Sequence, residues 1–375
     1  MTNNSDMNVL WESERLSRIN NDLEGLFQAQ LNIVQSSKSE DEVISNLKIL
    51  QNKRRQNHEC FKKLIKYVIE TNKNPHFLEI LLERVISGKL YLEVERVRIT
   101  EILISLYGSD ISKSYGLLNS IPIETFTTIS ERKKNEILFL TFQLGMGLNR
   151  YDECEFILKK VRQSDLTTEE RIQFINCKIL LLVANKEYIE ASKFYLELIQ
   201  FDTQIKNIIL GSYYGLLSNS LVEKKLIVKN DILNQYMVHK NNNEEMRQII
   251  QAFVSNEIID FRLIQQIYKI LAKYEPELTI NEEDMKYSIA EHNFNVIRQF
   301  FNKAKLNEIA FLMQLTIDET IEFISRMVNE GFANVKINQQ TNVVCFGAKQ
   351  WKNNIDIILD TIFDVNHLID MESIE

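Results

Sequence analysis

The sequence predicts a mostly α-helical protein in which a solenoid of helical repeats precedes a small domain that also contains a β-hairpin. Three observations lead to this prediction. Only 10 of the 375 residues are glycine and 3 are proline, whereas the two together usually make up about 12% of a chain. Apolar residues recur at helical spacing over most of the chain. Near residue 332, the apolar period changes from helical to alternating.

Composition and charge exclude several classes of protein. The chain carries 44 Lys and Arg against 52 Asp and Glu, a formal net charge of -8, which disfavours binding to a phosphate backbone because such binding needs clustered cations. No apolar run reaches the ~20 residues of a membrane-spanning helix, and the N-terminus has no signal-peptide core. We therefore expect a soluble protein of the cytoplasm and nucleus. No zinc site or disulfide framework is indicated, because the cysteines lie far apart: Cys60, Cys154, Cys177 and Cys345.

A repeat of paired helices dominates residues 41–275, the predicted solenoid, which follows a polar N-terminal segment, residues 1–40. Three sets of four residues share one spacing, and the sets start at residues 111, 151 and 188. They are Ile111, Ser114, Leu118 and Ile121; Tyr151, Cys154, Leu158 and Val161; and Tyr188, Ala191, Tyr195 and Leu198. Steps of three and four residues place each set on one face of a helix.

A small residue, Ser114, Cys154 or Ala191, takes the second place in each set. A short side chain lets one helix pack closely on the next, and a period of about 34–40 residues resembles the right-handed solenoids of tetratricopeptide type. A simple antiparallel helical bundle gives a similar spacing, but three units that share both the gap and the small residue favour the solenoid. The two glycines of Gly145-Met146-Gly147 are predicted to be packing positions within a helix.

Residues 276–347 are predicted to form a winged helix, in which two helices are followed by a hairpin. Thr316 and Glu319 have the spacing of a capping box at the start of the second helix, and Gly331 is placed to end it. The predicted elements are helices over 305–315 and 316–330 and strands over 332–337 and 343–346.

A single helix is predicted to end the chain, over residues 348–375. Its apolar residues follow a heptad pattern: Trp351, Ile355, Ile358, Ile362, Val365 and Ile369. Side chains of this kind contribute about 1.5–3 kcal/mol each when buried, and a lone amphipathic helix does not leave that much apolar surface in water. The helix either folds back on its own winged helix or joins helices of other chains, and the nearly strict heptad favours a multi-chain bundle.

No arrangement of residues predicts catalysis, a cofactor or a metal site. His58 and Cys60 lie on different faces of a predicted helix, because adjacent helical residues point about 100° apart. The five histidines include no HxxxH or HxH pair. The histidine of Glu291-His292-Asn293 is predicted to be a structural hydrogen-bonding group. We therefore expect a protein that is not an enzyme.

The second helix of the winged helix is the element that would enter a DNA groove, and its charge argues against that role. Its four acidic residues and one arginine sum to -3, which would repel phosphates. These residues are Asp318, Glu319, Glu322, Glu330 and Arg326. We expect this domain to dock onto proteins instead of nucleic acid.

A helical solenoid followed by a winged helix is the architecture of the PCI family, and the wing residues resemble that family's pattern. The matching residues are Phe332-Ala333, Lys336-Ile337, Val343-Val344 and Phe346. Asn338 and Asn342 stand where the family usually has Asp and Gly, and Asn tolerates the left-handed backbone that such a turn requires.

Within the PCI family, the chain resembles the non-ATPase regulatory subunit 12 type of the 26S proteasome regulatory-particle lid. The resemblance lies in Lys89–Arg98, in Glu291-His292-Asn293 and in the terminal span from Trp351 to Ile369. It is weaker over residues 201–275. The chain is therefore identified as a divergent, shortened member of this type.

The resemblance implies a non-catalytic scaffold that supports lid assembly and ubiquitin-dependent protein degradation. Neighbouring winged helices would stack, and the terminal helix would enter a shared bundle. The implied wing interface consists of Phe332, Lys336, Ile337, Val343, Val344 and Phe346. The implied partners are other PCI and deubiquitinase-type subunits of the lid, the base and the core particle, in a hetero-oligomer without nucleic acid or membrane. An equivalent scaffold of the signalosome stays an alternative.

Overall fold

The computed structural model describes residues 3–202, 204–217, 244–276, 278, 282–331, 333–338 and 340–347. These residues form helices for the most part, together with a three-stranded antiparallel sheet, so the predicted fold class is confirmed. The chain divides into two units, Met1–Lys186 and Glu187–Glu375.

The first unit is a succession of α-helices, with a π-helix over Leu82–Ile86 directly after the fifth of them. Its helices are α1 (Asn3–Ile19), α2 (Leu23–Gln35), α3 (Glu40–Gln51), α4 (His58–Thr71), α5 (Pro75–Leu81), α6 (Glu93–Tyr107), α7 (Ile111–Asn119), α8 (Glu131–Gly147), α9 (Tyr151–Lys159) and α10 (Thr168–Ala184). Most of them begin where a polar side chain accepts a hydrogen bond from the first helical turn, as Ser39 does for α3 and Ser130 for α8. Two hydrophobic clusters fill the unit, one from α2 to α6 and one from α6 to α10.

The helices α1 and α2, within residues 3–35, join this core. On α2, Leu26 and Ile33 are buried, and Ile33 belongs to the hydrophobic cluster that also holds α4 and α6. The carboxylate of Glu14 on α1 is fully buried and accepts hydrogen bonds from Arg18 at 3.0 Å and Lys53 at 3.1 Å. An apolar face and a compensated buried charge therefore hold this polar stretch in place.

The predicted repeat of paired helices matches the structure closely. Helices α7 and α9 begin at Ile111 and Tyr151, and the small residues Ser114 and Cys154 are buried at the second place of each set. A Cβ atom on Gly145 of α8 would lie 2.7 Å from the Cys154 Sγ atom and 3.0 Å from a Tyr115 ring carbon. This close approach explains why a small residue stands at position 154.

The prediction that both glycines of Gly145-Met146-Gly147 are packing positions is correct for Gly145 and wrong for Gly147. A Cβ atom on Gly147 would meet no atom within 4 Å, and this residue is exposed at the last turn of α8. Helical geometry accounts for the difference, since residues two apart on a helix face in different directions.

The second unit begins with a further helix pair and ends with the winged helix. Its elements are α11 (Tyr188–Ile199), α12 (Ile205–Leu217), α13 (Glu244–Val254), α14 (Arg262–Tyr274), α15 (Glu282–Phe300), β1 (Lys303–Lys305), α16 (Leu306–Met313), α17 (Ile317–Asn329), β2 (Val335–Asn338) and β3 (Val343–Phe346). Helix α11 begins at Tyr188, as the repeat predicts, and its small residue Ala191 is fully buried. A Cβ atom on Gly211 of α12 would lie 2.8 Å from the Tyr195 Cβ atom, so α11 and α12 also pack closely.

The winged helix follows the predicted order, with one strand more than expected. The capping box of Thr316 and Glu319 is present at the start of α17, and Gly331 follows this helix with φ +78°. The short strand β1 was not predicted, and β2 begins at Val335 instead of residue 332. One core cluster joins α15, α16 and α17 to the sheet, with Phe294, Phe323 and Phe346 in contact.

Candidate protein-interaction surfaces

The hairpin of the wing is held in place by its own polar residues. The Asn338 side chain accepts hydrogen bonds from the backbone N–H groups of Gln340 and Thr341, and Asn342 takes the left-handed conformation with φ +51°. The Leu306 N–H donates to the Asn342 carbonyl at 2.8 Å, which ties the hairpin to the start of α16. The expectation that asparagine supports this turn is confirmed at Asn342.

The strand order places β3 at the centre of the sheet, between β1 and β2. Lys303, Cys345 and Lys336 lie side by side across the three strands, and so do Lys305, Val343 and Asn338. Because side chains alternate along a strand, these two rows form one face. Val344, Phe346 and Val335 point to the opposite face and enter the core.

The predicted wing residues therefore divide into two groups. Lys336 is exposed and Val343 half-buried on the outer face, whereas Val344 and Phe346 are buried in the core. Ile337 is half-buried and packs against that core. Val344 and Phe346 thus stabilise the sheet and do not present a side chain to a partner. Because β3 is paired on both sides, only β1 and β2 offer an outer edge within the described sheet. The assignment of the wing to an interface stays a prediction.

Several predicted interface residues lie outside the described residues. They are Phe332 of the wing and the whole predicted bundle seam, Trp351, Ile355, Ile358, Ile362, Val365 and Ile369. The terminal helix and its bundle stay predictions from the sequence.

Helix α17 presents an acidic face, as its sequence predicts. Four carboxylate side chains are exposed: Asp318, Glu319, Glu322 and Glu330. The cation of this helix, Arg326, lies with its guanidinium 4.9 Å from the centre of the Tyr287 ring and 3.9 Å from Glu322. The face that would meet DNA in a helix-turn-helix protein is therefore negatively charged.

The stretch Lys89–Arg98, which carries much of the resemblance, joins α6 to the following repeat through a buried carboxylate. Oε2 of Glu93 accepts hydrogen bonds from the backbone N–H groups of Thr127 and Thr128 at 2.9 and 3.0 Å and from the Thr128 hydroxyl at 2.8 Å. Burial acts to raise the pKa of Glu93, but these hydrogen bonds outweigh it and hold the pKa below its usual value. Glu93 therefore fixes the loop before α8.

The same stretch also reaches back to earlier helices. Arg98 donates to Glu70 of α4 at 2.8 Å, and the Tyr91 hydroxyl accepts a hydrogen bond from Gln51 of α3. The His58 and Tyr91 rings lie 4.1 Å apart. The stretch is thus a structural joint between successive helix pairs, a role that spacing alone did not reveal.

Glu291-His292-Asn293 forms a second joint, on α15. The Asn293 side-chain amide accepts from the Ile259 N–H at 2.8 Å and donates to the Ile259 carbonyl at 2.9 Å, while the His292 ring contacts the Glu257 carbonyl at 2.9 Å. All three residues of the motif are buried. The motif therefore clamps the segment between α13 and α14, in agreement with the structural role predicted for this histidine.

Gln314 completes this clamp, and the sequence did not predict its role. Its backbone is left-handed with φ +58°, directly after α16, and its side chain donates to the Ile259 carbonyl at 3.1 Å and accepts from the Phe261 N–H at 3.0 Å. A left-handed Gln is uncommon, and here it ends α16, where the Leu315 N–H donates to the Ala310 carbonyl at 3.0 Å. No local pattern signals its side-chain partners, because they lie more than 50 residues away in the chain.

The buried thiols do not have the properties of nucleophiles. Burial raises the pKa of Cys154 to about 11 and that of Cys177 to about 12, so that both stay protonated near neutral pH. Within the described ranges, no three side chains of His, Cys, Asp or Glu come close enough together to hold a metal ion. None of the helices described combines the length and apolar character that crossing a bilayer needs.

Comparison with known proteins identifies the family. A family model described as PSMD12/CSN4, N-terminal, matches residues 6–207, and a PCI domain model matches residues 266–348. The chain is 23% identical to the 26S proteasome regulatory subunit RPN5 of Saccharomyces cerevisiae, over 99% of this chain and 91% of the yeast protein. It is 25% identical to the 26S proteasome non-ATPase regulatory subunit 12 of Dictyostelium discoideum, over 88% of this chain and 80% of that protein. Because the first model matches more than half of its residues, the chain belongs to the PSMD12/CSN4 family, with a PCI domain in its second half.

Proposed function

We propose that this chain is a non-catalytic scaffold subunit of the lid of the 26S proteasome regulatory particle. The observation that carries the proposal is the alignment with the yeast subunit RPN5, which spans 99% of this chain and both of its units. A chain that aligns with its relative over nearly the whole of both sequences has the parts needed to fill the same place in a complex.

The geometry supports a scaffold. The first unit is built from stacked helices whose buried side chains serve packing, and the joints at Glu93 and Asn293 use their hydrogen-bonding groups to fix neighbouring segments. The winged helix offers an acidic helix face and a sheet whose outer strands, β1 and β2, each pair on one side only within the described residues. Surfaces of this kind suit the binding of other proteins.

We propose that its partners are other PCI and deubiquitinase-type lid subunits together with surfaces of the base and the core particle, in the cytoplasm and nucleus. The domain division at residues 40, 275 and 347, the wing interface and the terminal bundle belong to the same proposal. The signalosome scaffold is the weaker alternative, because the relatives named above are all 26S proteasome subunits.

The test is affinity purification of the tagged, full-length chain from its own cells under native conditions, followed by mass spectrometry. We expect proteasome lid, base and core subunits to co-purify with it in similar amounts. As a control, an untagged strain defines the background. Recovery of signalosome subunits without proteasome subunits would favour the alternative, and recovery of the chain alone would refute both.

A further inference from the structure

The outer face of the wing sheet is basic, in a protein whose net charge is negative. This face, which we call the lysine face, consists of Lys303, Lys305 and Lys336 around Cys345 and Val343. The three lysines are exposed, and Cys345 and Val343 between them are half-buried. In the part of the chain that the structure describes, none of the three lysines pairs with a carboxylate.

The sheet fixes the spacing of these cations. Lys303 and Lys336 flank Cys345 on the two neighbouring strands, so their Cα atoms lie about 10 Å apart, twice the distance between strands. Lys303 and Lys305 are two residues apart on β1, which separates them by about 7 Å. The lysines therefore form a triangle on a rigid support.

The surroundings strengthen this positive charge. The segments 296–305 and 331–347 contain no Asp or Glu, although the whole chain has 52 among 375 residues. The exposed acidic side chains of the winged helix lie on its helices instead, with Glu308 on α16 and Asp318, Glu319 and Glu322 on α17. The domain thus combines a basic sheet face with carboxylates on its helices.

We propose that the lysine face binds an acidic helix of a neighbouring subunit in the assembled complex. This inference rests on the proposed scaffold function and adds the chemistry of one contact to it. Carboxylates at positions i and i+7 of a helix lie about 10.5 Å apart along one face, close to the spacing of Lys303 and Lys336 across the sheet. Half-buried Cys345 at the centre of the face, together with Val343, gives the helix an apolar surface to cover.

A protein helix fits this face better than a nucleic acid does. Proteins that bind duplex DNA through its backbone neutralise about 6–10 phosphates, whereas the lysine face supplies three cations. The exposed carboxylates of α17 in the same domain would repel an extended polyanion. Helix α17 itself shows that a winged helix of this kind can present an acidic helix, so that the basic sheet of one such domain complements the acidic helix of another.

The first test uses the native complex, purified through a tag on the wild-type chain and treated with a carbodiimide that joins amines directly to carboxylates. We expect mass spectrometry to find Lys303, Lys305 or Lys336 linked to Asp or Glu residues of one helix in another subunit. Cross-links from these lysines only to carboxylates of this chain would overturn the proposal. Release of bound nucleic acid by nuclease, together with exposure of the three lysines, would overturn it as well.

The second test compares two triple variants in competition with the wild-type chain in the same cells. In the first, Lys303, Lys305 and Lys336 are replaced by Gln; in the matched control, three exposed lysines of the first unit are replaced by Gln. The control lysines are Lys63, Lys66 and Lys73. An exposed ion pair contributes about a factor of two to five in affinity, so we expect the first variant to be incorporated about tenfold to a hundredfold less than wild type. The control is expected to change less than twofold.

A labelling measurement on the wild-type chain needs no substitution, so its result does not depend on whether the triple variant folds. Cys345 is half-buried, whereas Cys60, Cys154 and Cys177 are buried, so a maleimide reacts first at Cys345. We expect this reaction to be at least fivefold slower in the complex than in the free chain. If the chain co-purifies with the lid but the first triple variant is incorporated normally and Cys345 stays reactive, the lysine face is not a contact. If the chain does not co-purify with the lid at all, the proposed function itself has failed.

Discussion

Replacing Gly145 by Ala tests how closely α8 and α9 pack. A Cβ atom at this position would lie 2.7 Å from the Cys154 Sγ atom and 3.0 Å from a Tyr115 ring carbon, and Cys154 is fully buried. Gly147, on the same helix, is the matched control, because a Cβ atom there meets nothing within 4 Å.

The two substitutions should change stability in opposite directions. Ala gains about 0.5–1 kcal/mol over Gly inside a helix because the unfolded chain loses less freedom. At Gly145, an overpacking cost of about 2–3 kcal/mol opposes this gain, which leaves a net destabilisation of about 1–2 kcal/mol. At Gly147 only the gain remains, reduced by its place in the last helical turn.

Native-state hydrogen exchange of the full-length chain measures this local stability. We expect the most protected amides of α8 and α9 to exchange about 5–30 times faster in Gly145→Ala and no faster in Gly147→Ala. In a Cys154→Ala background, the penalty of Gly145→Ala should shrink by about 1 kcal/mol, because the clashing sulfur is gone. Equal protection in Gly145→Ala and Gly147→Ala would refute the close approach of the two helices.

Three further substitutions test the joints and the terminal seam. Asn293→Ala removes both hydrogen bonds to Ile259 and should destabilise the second unit by about 2–3 kcal/mol in urea unfolding; an unchanged midpoint would contradict the clamp. Because the folded-state pKa of Glu93 lies below its usual value of 4.5, its stabilisation is complete above that pH and is lost as pH falls through the folded-state pKa. In the wild type, the exchange protection of the loop before α8 should therefore weaken on acidification. In Glu93→Gln, this protection should be weak already at pH 7 and should not depend on pH. Replacing Ile358 and Ile362 by Asp should leave a folded chain that no longer enters its complex on native gels, and normal incorporation would count against the bundle.

Local patterns were sufficient to predict the elements whose signals are short-ranged. The starts of α7, α9 and α11 at Ile111, Tyr151 and Tyr188 follow from helical spacing, because a helix repeats within the span of a few residues. The capping box at the start of α17 was predictable for the same reason, because Thr316 and Glu319 lie within one helical turn.

Features that depend on distant partners were not predictable in this way. Strand β1 is three residues long and exists because β3, some 40 residues later, pairs with it. The Gln314 side chain bonds to Ile259 and Phe261, which lie more than 50 residues earlier in the chain. Val344 and Phe346, which the resemblance placed at an interface, are buried because they lie on the face of β3 that packs against the helices, and alternation alone does not tell which face of a strand meets the core.

The most direct test of the scaffold function is absolute quantification of this chain in 26S proteasomes that are purified through a different subunit. Isotope-labelled reference peptides from Met1–Lys186 and from Glu187–Glu375 give its copy number per particle. The proposed function predicts one copy for each regulatory particle, with equal values from the two units. A chain that is absent from the purified particles, or present at a few per cent of the other lid subunits, would contradict it.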